Sequence, residues 1–392
     1  MKRLSERVYT FTDSVIRRMT RISNQYGAIN LSQGFPDTNP PEPVMEALAR
    51  VAWEGPHQYS ITFGAKNLRE KLAERFLKTA GLSVDPETQI IVTCGGTEAM
   101  MCAMMTLCNP GDKMLVFSPF YENYGADAIL SGAEPLYVPL VPPDFGFDPD
   151  VIEQGFRDGA KGIIICNPSN PCGKVFTREE LEVIAEIVKR YDGYVITDEV
   201  YEYMVYAPSV HTSVASLPGM AERTITCSSL SKTFSITGWR LGYMIGPAEV
   251  MEHAKKVHDF LTVGAPAPLQ EAAVAGLSLG EEYYRDLNRT YTRKRDDFLE
   301  GLDRIGLRHN VPQGTYFVMV DISEFLETDF FRGWTDLQFC EWMIREIGVA
   351  AVPGSSFFRE DVNHLIRLHF AREKDVLDEA IRRMARLQEW KA

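Results

Sequence analysis

Seven short apolar runs, at residues 89–93, 113–118, 134–138, 162–166, 193–197, 223–227 and 242–245, recur between stretches with helical spacing. A β-rich run such as Tyr194-Val195-Ile196-Thr197 predicts an interior strand. Between two of these runs, Leu181, Ile184, Ala185 and Val188 share one face of a helix over 177–189. Strands alternating with helices in this way predict an α/β fold built on a doubly wound, mostly parallel seven-stranded sheet. Ligands of such sheets bind beyond the carboxyl ends of the strands. Chemistry is therefore sought just after each run.

The rest of the chain predicts a second unit. Residues 281–304 read as one long amphipathic helix, and strand-like runs at 315–321 and 365–370 bracket two more helical segments. The expected division is a large domain of residues 45–284 and a smaller α+β domain from both termini, residues 1–44 and 285–392. With 392 residues, 45% hydrophobic and 24% charged, the chain is long enough for about two to three domain-sized units. A net charge of −13 argues against nucleic acid or an anionic membrane as partner, while leaving room for a local cationic site. The N-terminal stretch leads into no apolar leader, and no run approaches the roughly 20 apolar residues that span a bilayer, so a cytoplasmic location is expected. Seven cysteines without a Cys-x-x-Cys spacing fit reduced thiols rather than disulfides or a metal site.

The strongest chemical signal follows the run at 223–227. Lys232 stands in Ser228-Ser229-Leu230-Ser231-Lys232, and Arg240 follows in Thr237-Gly238-Trp239-Arg240. Short hydroxyls at Ser229 and Ser231 with the fixed charge of Arg240 suit a phosphate ester, and an amine beside them suits a Schiff base to a phosphorylated aldehyde. Pyridoxal 5'-phosphate is the candidate. Its ring needs a carboxylate at the pyridine nitrogen, and Asp198, at the end of an interior strand, needs a cation. Asn170 and Tyr201 carry donors suited to the ring's phenolate oxygen. A further anion cradle is visible at Gly95-Gly96-Thr97, where a strand enters a helix and glycine lets backbone N–H groups approach.

The order Gly96-Thr97, Tyr121, Asn170-Pro171-Cys172-Gly173, Asp198-x-x-Tyr201, Ser229-x-x-Lys232 and Arg240 resembles the class I/II aminotransferases of the aspartate aminotransferase superfamily, which are fold type I pyridoxal-phosphate enzymes. That resemblance implies a transaminase of amino acid metabolism, working by a ping-pong mechanism between an L-amino acid and a 2-oxo acid, with 2-oxoglutarate the expected acceptor. It implies that Lys232 is the cofactor-bound amine and the proton carrier, and that Asp198 meets the pyridine nitrogen. Asn170 and Tyr201 would meet the phenolate, and Tyr121 would stack on the ring. Gly96, Thr97, Ser229 and Arg240 would hold the phosphate, and Tyr59 would reach the phosphate of the neighbouring subunit in a homodimer. Arg367 would take the substrate α-carboxylate, and Gly34 would contact substrate through its backbone.

The sequence departs from that family in two places. Cys172 stands where many relatives carry threonine, and residues 258–270 lack the arginine that dicarboxylate-selective relatives often use. Phe35, Tyr121, Tyr316, Tyr9 and Phe11 are candidates for an aromatic or aliphatic pocket, and Arg17, Arg18 and Arg21 for an acidic one. The same framework also serves β-lyases of sulfur amino acids, and a regulator that keeps the fold to bind an effector is a further alternative.

Overall fold

The computed structural model describes residues 3–11 and 13–391; Met1 and Lys2, at the start of the stretch read for a leader, lie outside the described residues. Twelve strands run through the described residues. They are β1 (Ile29–Asn30), β2 (Ile90–Thr93), β3 (Lys113–Ser118), β4 (Glu134–Pro139), β5 (Ala160–Cys166), β6 (Tyr194–Asp198), β7 (Thr224–Ser229), β8 (Gly242–Ile245), β9 (Phe317–Asp321), β10 (Val349–Ala350), β11 (Val352–Pro353) and β12 (Leu365–His369).

The seven expected runs form one sheet in the order β2-β8-β7-β6-β5-β3-β4. Its neighbours are parallel except at β8, which runs antiparallel to both β2 and β7. The carboxyl ends of β2, β3, β5, β6 and β7, and the start of β8, therefore share one edge. Side chains of successive strand residues point to opposite faces. Accordingly Ile163, Ile165 and Val195 enter one core with Leu181 and Ile184 of helix Arg178–Arg190, while Ile164, Cys166 and Ile196 enter the other with Met100 and Ala254. Helix Arg178–Arg190 starts at a capping box between Thr177 and Glu180, which satisfies N–H groups left open at its first turn.

A second layer contains the antiparallel sheet β11-β12-β9 and the parallel pair β1·β10. Its core joins Met19 and Leu31 near the N-terminus to Phe298 and Leu302 of the long helix Glu281–Arg304, and to Val318, Leu368 and Leu377. Distant ends of the chain thus bury one another. Among the described residues no helix is long and apolar enough to cross a membrane.

Candidate active site

A cavity of about 470 Å³ opens at the shared edge of the large sheet, where β9 and β12 face it. Lys232, Asp198, Tyr201, Asn170, Tyr121, Gly96, Thr97, Ser229, Arg240, Gly34 and Arg367 all line it. Of the cofactor- and substrate-contacting residues that the resemblance implied, Tyr59 lies elsewhere: it is 88% exposed and lines a shallow depression with Pro56, Lys66 and Glu271.

Most of the polar lining residues are delivered by the ends of strands. Asp198 is the last residue of β6, paired in register with Cys166 of β5 and Cys227 of β7. The run predicted to stop at residue 197 goes one further, so the carboxylate is held inside the ladder. Its Oδ2 accepts from the Tyr124 hydroxyl at 2.7 Å and its Oδ1 from the Val200 amide at 3.2 Å. Burial nevertheless pushes its pKa above the ordinary aspartate value, because those two donors and Lys232 offset only part of the desolvation. This acid is short of a cation.

Lys232 lies in the short helix Leu230–Thr233 that follows β7, and its Nζ donates to the Gly34 carbonyl at 3.1 Å. The Tyr316 hydroxyl donates to the same carbonyl at 2.9 Å and lies 3.4 Å from the Tyr201 hydroxyl, which links the lysine to both phenols. Gly34 has no room for a side chain, since a Cβ there would come within 2.5 Å of the Phe317 ring.

Ser229 ends β7 and caps that short helix, its Oγ accepting from the Ser231 amide at 3.0 Å. Arg240 stands just before β8 in the left-handed conformation, φ 56°, with Nη2 donating to the Cys94 carbonyl at 3.4 Å. Gly95 has φ +85°, and a Cβ there would fall 2.3 Å from that Nη2. Only glycine lets the guanidinium settle on this turn, next to the N-terminus of helix Gly96–Leu107.

Arg367, in the middle of β12, is 1% exposed. Its Nη1 donates to Asn170 Oδ1 at 2.7 Å and its Nη2 to the Ser32 carbonyl at 2.8 Å, while Nε has no partner. The Phe317 and Phe357 rings cover the guanidinium at 4.1 and 4.6 Å. No carboxylate pairs with it among the described residues, and burial lowers its pKa to about 10, still well above neutrality. A buried cation so placed invites an anion.

Sequence reasoning did not find Tyr124 and Asp127, which the helix Asn123–Ser131 brings behind Asp198. The signal was available for Tyr124, one helical turn beyond Tyr121. Ser14 and Glu122 were likewise not singled out: they hydrogen-bond to each other at the mouth and line the cavity beside Arg17. Among the proposed pocket residues, Tyr121 and Arg17 line the cavity. Phe35 instead lies under Arg372 at 4.4 Å, Tyr316 packs behind Gly34, Arg18 pairs with Glu341, and Tyr9 is exposed.

A lysine, a strand-end acid and a buried arginine gathered at the carboxyl edge of a seven-stranded α/β sheet define a fold type I enzyme. Residues 26–384 match the family model for aminotransferase class I and II. The chain belongs to that family and is an aminotransferase. It is 36% identical to the probable N-succinyldiaminopimelate aminotransferase of Mycobacterium tuberculosis, over 98% of each chain. It is 34% identical to human kynurenine–oxoglutarate transaminase 1, over 93% of this chain and 94% of that one. A solved structure of N-succinyldiaminopimelate aminotransferase from M. tuberculosis superposes with a TM-score of 0.93 at 35% identity, covering 98% of this chain and 100% of that one.

Proposed function

We propose that this aminotransferase uses pyridoxal 5'-phosphate to exchange amino groups between an L-amino acid and a 2-oxo acid in alternating half-reactions, with 2-oxoglutarate as acceptor. The residues fit that group. Asp198 lacks a cation that a protonated pyridine would supply, and the Gly95–Arg240 contact builds a cationic, glycine-lined turn suited to a phosphate. Arg240, Ser229, Gly96 and Thr97 would hold the phosphate, Tyr121 the ring face, and Asn170 with Tyr201 the phenolate oxygen. When bound, the cofactor supplies an aldehyde for amine exchange and a ring that accepts the electron pair released at the substrate α-carbon.

The chain's own groups do the rest. Arg367 clamps the α-carboxylate, leaving the Cα–H bond as the one presented to Lys232. The Lys232 amine, displaced by substrate, would take that proton on Nζ and pass it, within the same half-reaction, to the carbon that was the cofactor's aldehyde; the second half-reaction would run the same transfer backwards. Asn170 gives its Oδ1 to Arg367, which leaves its Nδ2 as the donor toward the cofactor and joins substrate and cofactor binding in one residue. The observation that carries this reading is the buried Arg367 guanidinium with no carboxylate opposite it among the described residues. Arg17, whose side chain lines the mouth without a hydrogen-bond or ion-pair partner among the described residues, is the group we assign to the distal carboxylate of 2-oxoglutarate.

We further read the chain as a large domain of residues 45–284 and a small one of residues 1–44 and 285–392, working as a cytoplasmic homodimer. Exposed Trp53, Tyr59 and Phe260, at 89%, 88% and 92%, support the dimer. Residues 59–62 and 260–264 adjoin, since a Cβ on Gly264 would lie 3.3 Å from the Thr62 carbonyl. That apolar face would carry Tyr59 to the neighbouring subunit's phosphate.

The decisive measurement is a panel of amino donors with 2-oxoglutarate, followed by single-turnover absorbance. Wild type should show donor-dependent spectral change and form glutamate, and Lys232→Ala should show neither while keeping the fold. Turnover by Lys232→Ala equal to wild type refutes the assignment. Release of pyruvate and ammonia without need of an oxo acid would replace it with the β-lyase reading.

A further inference from the structure

His258 and Glu98 form a buried ion pair that the mechanism above does not use. His258 is fully buried, in the last turns of helix Ala248–Thr262, and Glu98 is nearly so, in the first turn of helix Gly96–Leu107. His258 Nδ1 lies 2.6 Å from Glu98 Oε1, and its Nε2 lies 2.7 Å from the Thr62 carbonyl oxygen. Thr262 Oγ1 donates to the same carboxylate oxygen at 2.8 Å, and the Cys94 amide donates to Oε2.

Both imidazole nitrogens face atoms that only accept, a carbonyl and a carboxylate already taking two other protons. Each must therefore carry hydrogen, and the ring is an imidazolium. Either neutral tautomer turns one lone pair onto an oxygen. The pair thus spans two segments with one rigid connection. On the Glu98 side it ties the N–H of Cys94, a residue whose own carbonyl, in the next peptide, accepts from Arg240. On the His258 side it ties the segment that carries Tyr59.

Taking the proposed cofactor site as given, we infer that Glu98 and His258 are positioning residues for the phosphate end of that site, holding the turn at 94–97 and the segment at 59–64 in fixed relation. They touch neither substrate nor cofactor and act through the Cys94–Gly95 peptide and Arg240. An apolar pair of similar size would pack these helices as well, because burying two charges brings little net stability. What the ionic pair adds is a defined direction for the Cys94 N–H and the Thr62 carbonyl.

The groups facing the pair leave its charge state clear. Asp259, on the same helix, adds negative charge near His258, and the Cys94 and Cys102 thiols beside Glu98 are kept neutral by burial. Burial alone would lower the imidazole pKa, but the Glu98 carboxylate outweighs it and the net shift is upward. For Glu98, burial would raise the pKa, and His258 with the Cys94 amide reverses that to a net lowering. The imidazolium is then complete below the ordinary histidine value of about 6.5 and is lost as pH rises through the raised value. The carboxylate is lost only as pH falls through its lowered one.

The test compares two ligands that differ by the phosphate. Dissociation constants for pyridoxal 5'-phosphate and for pyridoxal are measured by equilibrium dialysis between pH 6 and 10 for wild type, Glu98→Gln, His258→Gln and Thr262→Val. We expect Glu98→Gln and His258→Gln to bind the phosphorylated compound about 10- to 100-fold more weakly, with pyridoxal changed less than about 2-fold. Thr262→Val, which removes one donor and no charge, should show a selective loss of about 3-fold. Wild-type affinity for the phosphorylated compound should weaken on the alkaline side, and His258→Gln should lack that step. Equal losses for both ligands, or none for either, overturn the inference; if the charge-removing variants do not fold, Thr262→Val decides by the same criterion. Failure of wild type to bind either compound would instead overturn the cofactor reading.

Discussion

Arg367 shows how one residue can be costly and useful at once. Its charge is desolvated between two aromatic rings, its Nε has no partner among the described residues, and both partners of its other nitrogens are neutral oxygens. Truncation to alanine should raise the KM for amino donor and oxo acid together, each by about tenfold or more, because in the proposed mechanism one clamp serves both half-reactions. Steady-state kinetics in both directions checks this, and an effect on one substrate alone would separate the carboxylate sites. Arg17→Ala should raise the KM for 2-oxoglutarate well above any change for a monocarboxylic oxo acid such as pyruvate. Asp127 makes a different residue-level case. It is buried, its Oδ2 has no partner, and burial followed by repulsion from Asp198 lifts its pKa to about 8. A carboxyl whose folded pKa is raised is destabilising above its unfolded value of about 3.9, increasingly so until the pH passes the folded value. Asp127→Asn should therefore unfold at higher denaturant than wild type at pH 8, by about 1–2 kcal/mol, with the gain vanishing near pH 4. Lys232 was legible in the sequence from the hydroxyls and Arg240 around it, Asp198 from its place at the end of an apolar strand, and Arg367 from the family resemblance. Asp127 was not, since nothing local marks a side chain that turns inward from a helix, and Tyr124 went unread although its spacing from Tyr121 offered a signal.

The element that does most to shape the site is the turn between β2 and helix Gly96–Leu107. Gly242, first in β8, pairs with Thr93 on one side and Ser229 on the other, and a Cβ there would fall 2.3 Å from the Gly95 carbonyl carbon. Three strand ends meet with no space for a methyl group. Gly242→Ala should destabilise by about 2–4 kcal/mol, read as a drop in thermal midpoint, because the clash is with backbone and cannot be relieved by a rotamer. Gly95→Ala combines the positive φ with collision against the Arg240 guanidinium, so cofactor affinity should fall further than the thermal midpoint does. The seven runs and the helices between them were legible from apolar spacing, and the long helix Glu281–Arg304 was found to the residue. Antiparallel insertion of β8 between β2 and β7 was not, since strand direction leaves no mark on a four-residue apolar run. That insertion brings Arg240 beside Gly95.

At the scale of the molecule the exposed aromatic residues Trp53, Tyr59 and Phe260 matter most. Three large aromatic side chains held in water have an unfavourable hydration that a second copy would relieve. On the proposed homodimer, Phe260→Asp should shift sedimentation from dimer to monomer and should lower cofactor affinity with it, because Tyr59 would then reach no neighbouring site. A monomer that binds cofactor as tightly as wild type would remove Tyr59 from the site. Substrate choice also belongs to this scale: the mouth brings Arg17 and Ser14 from the N-terminal helix against Glu122 from the large sheet's edge.

The amino-acid sequence determined the fold class, the placing of the candidate site after strand ends, and the family to which the chain belongs, because apolar periodicity and the order of polar residues are local and survive in one dimension. Tertiary structure alone decided which carboxylates are desolvated, that Asn170 is bound to Arg367 across 197 positions of chain, and that His258 meets Glu98. Those are distances between segments that sequence spacing does not encode, and burial, which sets the charge energetics at each, is a property of the packed whole.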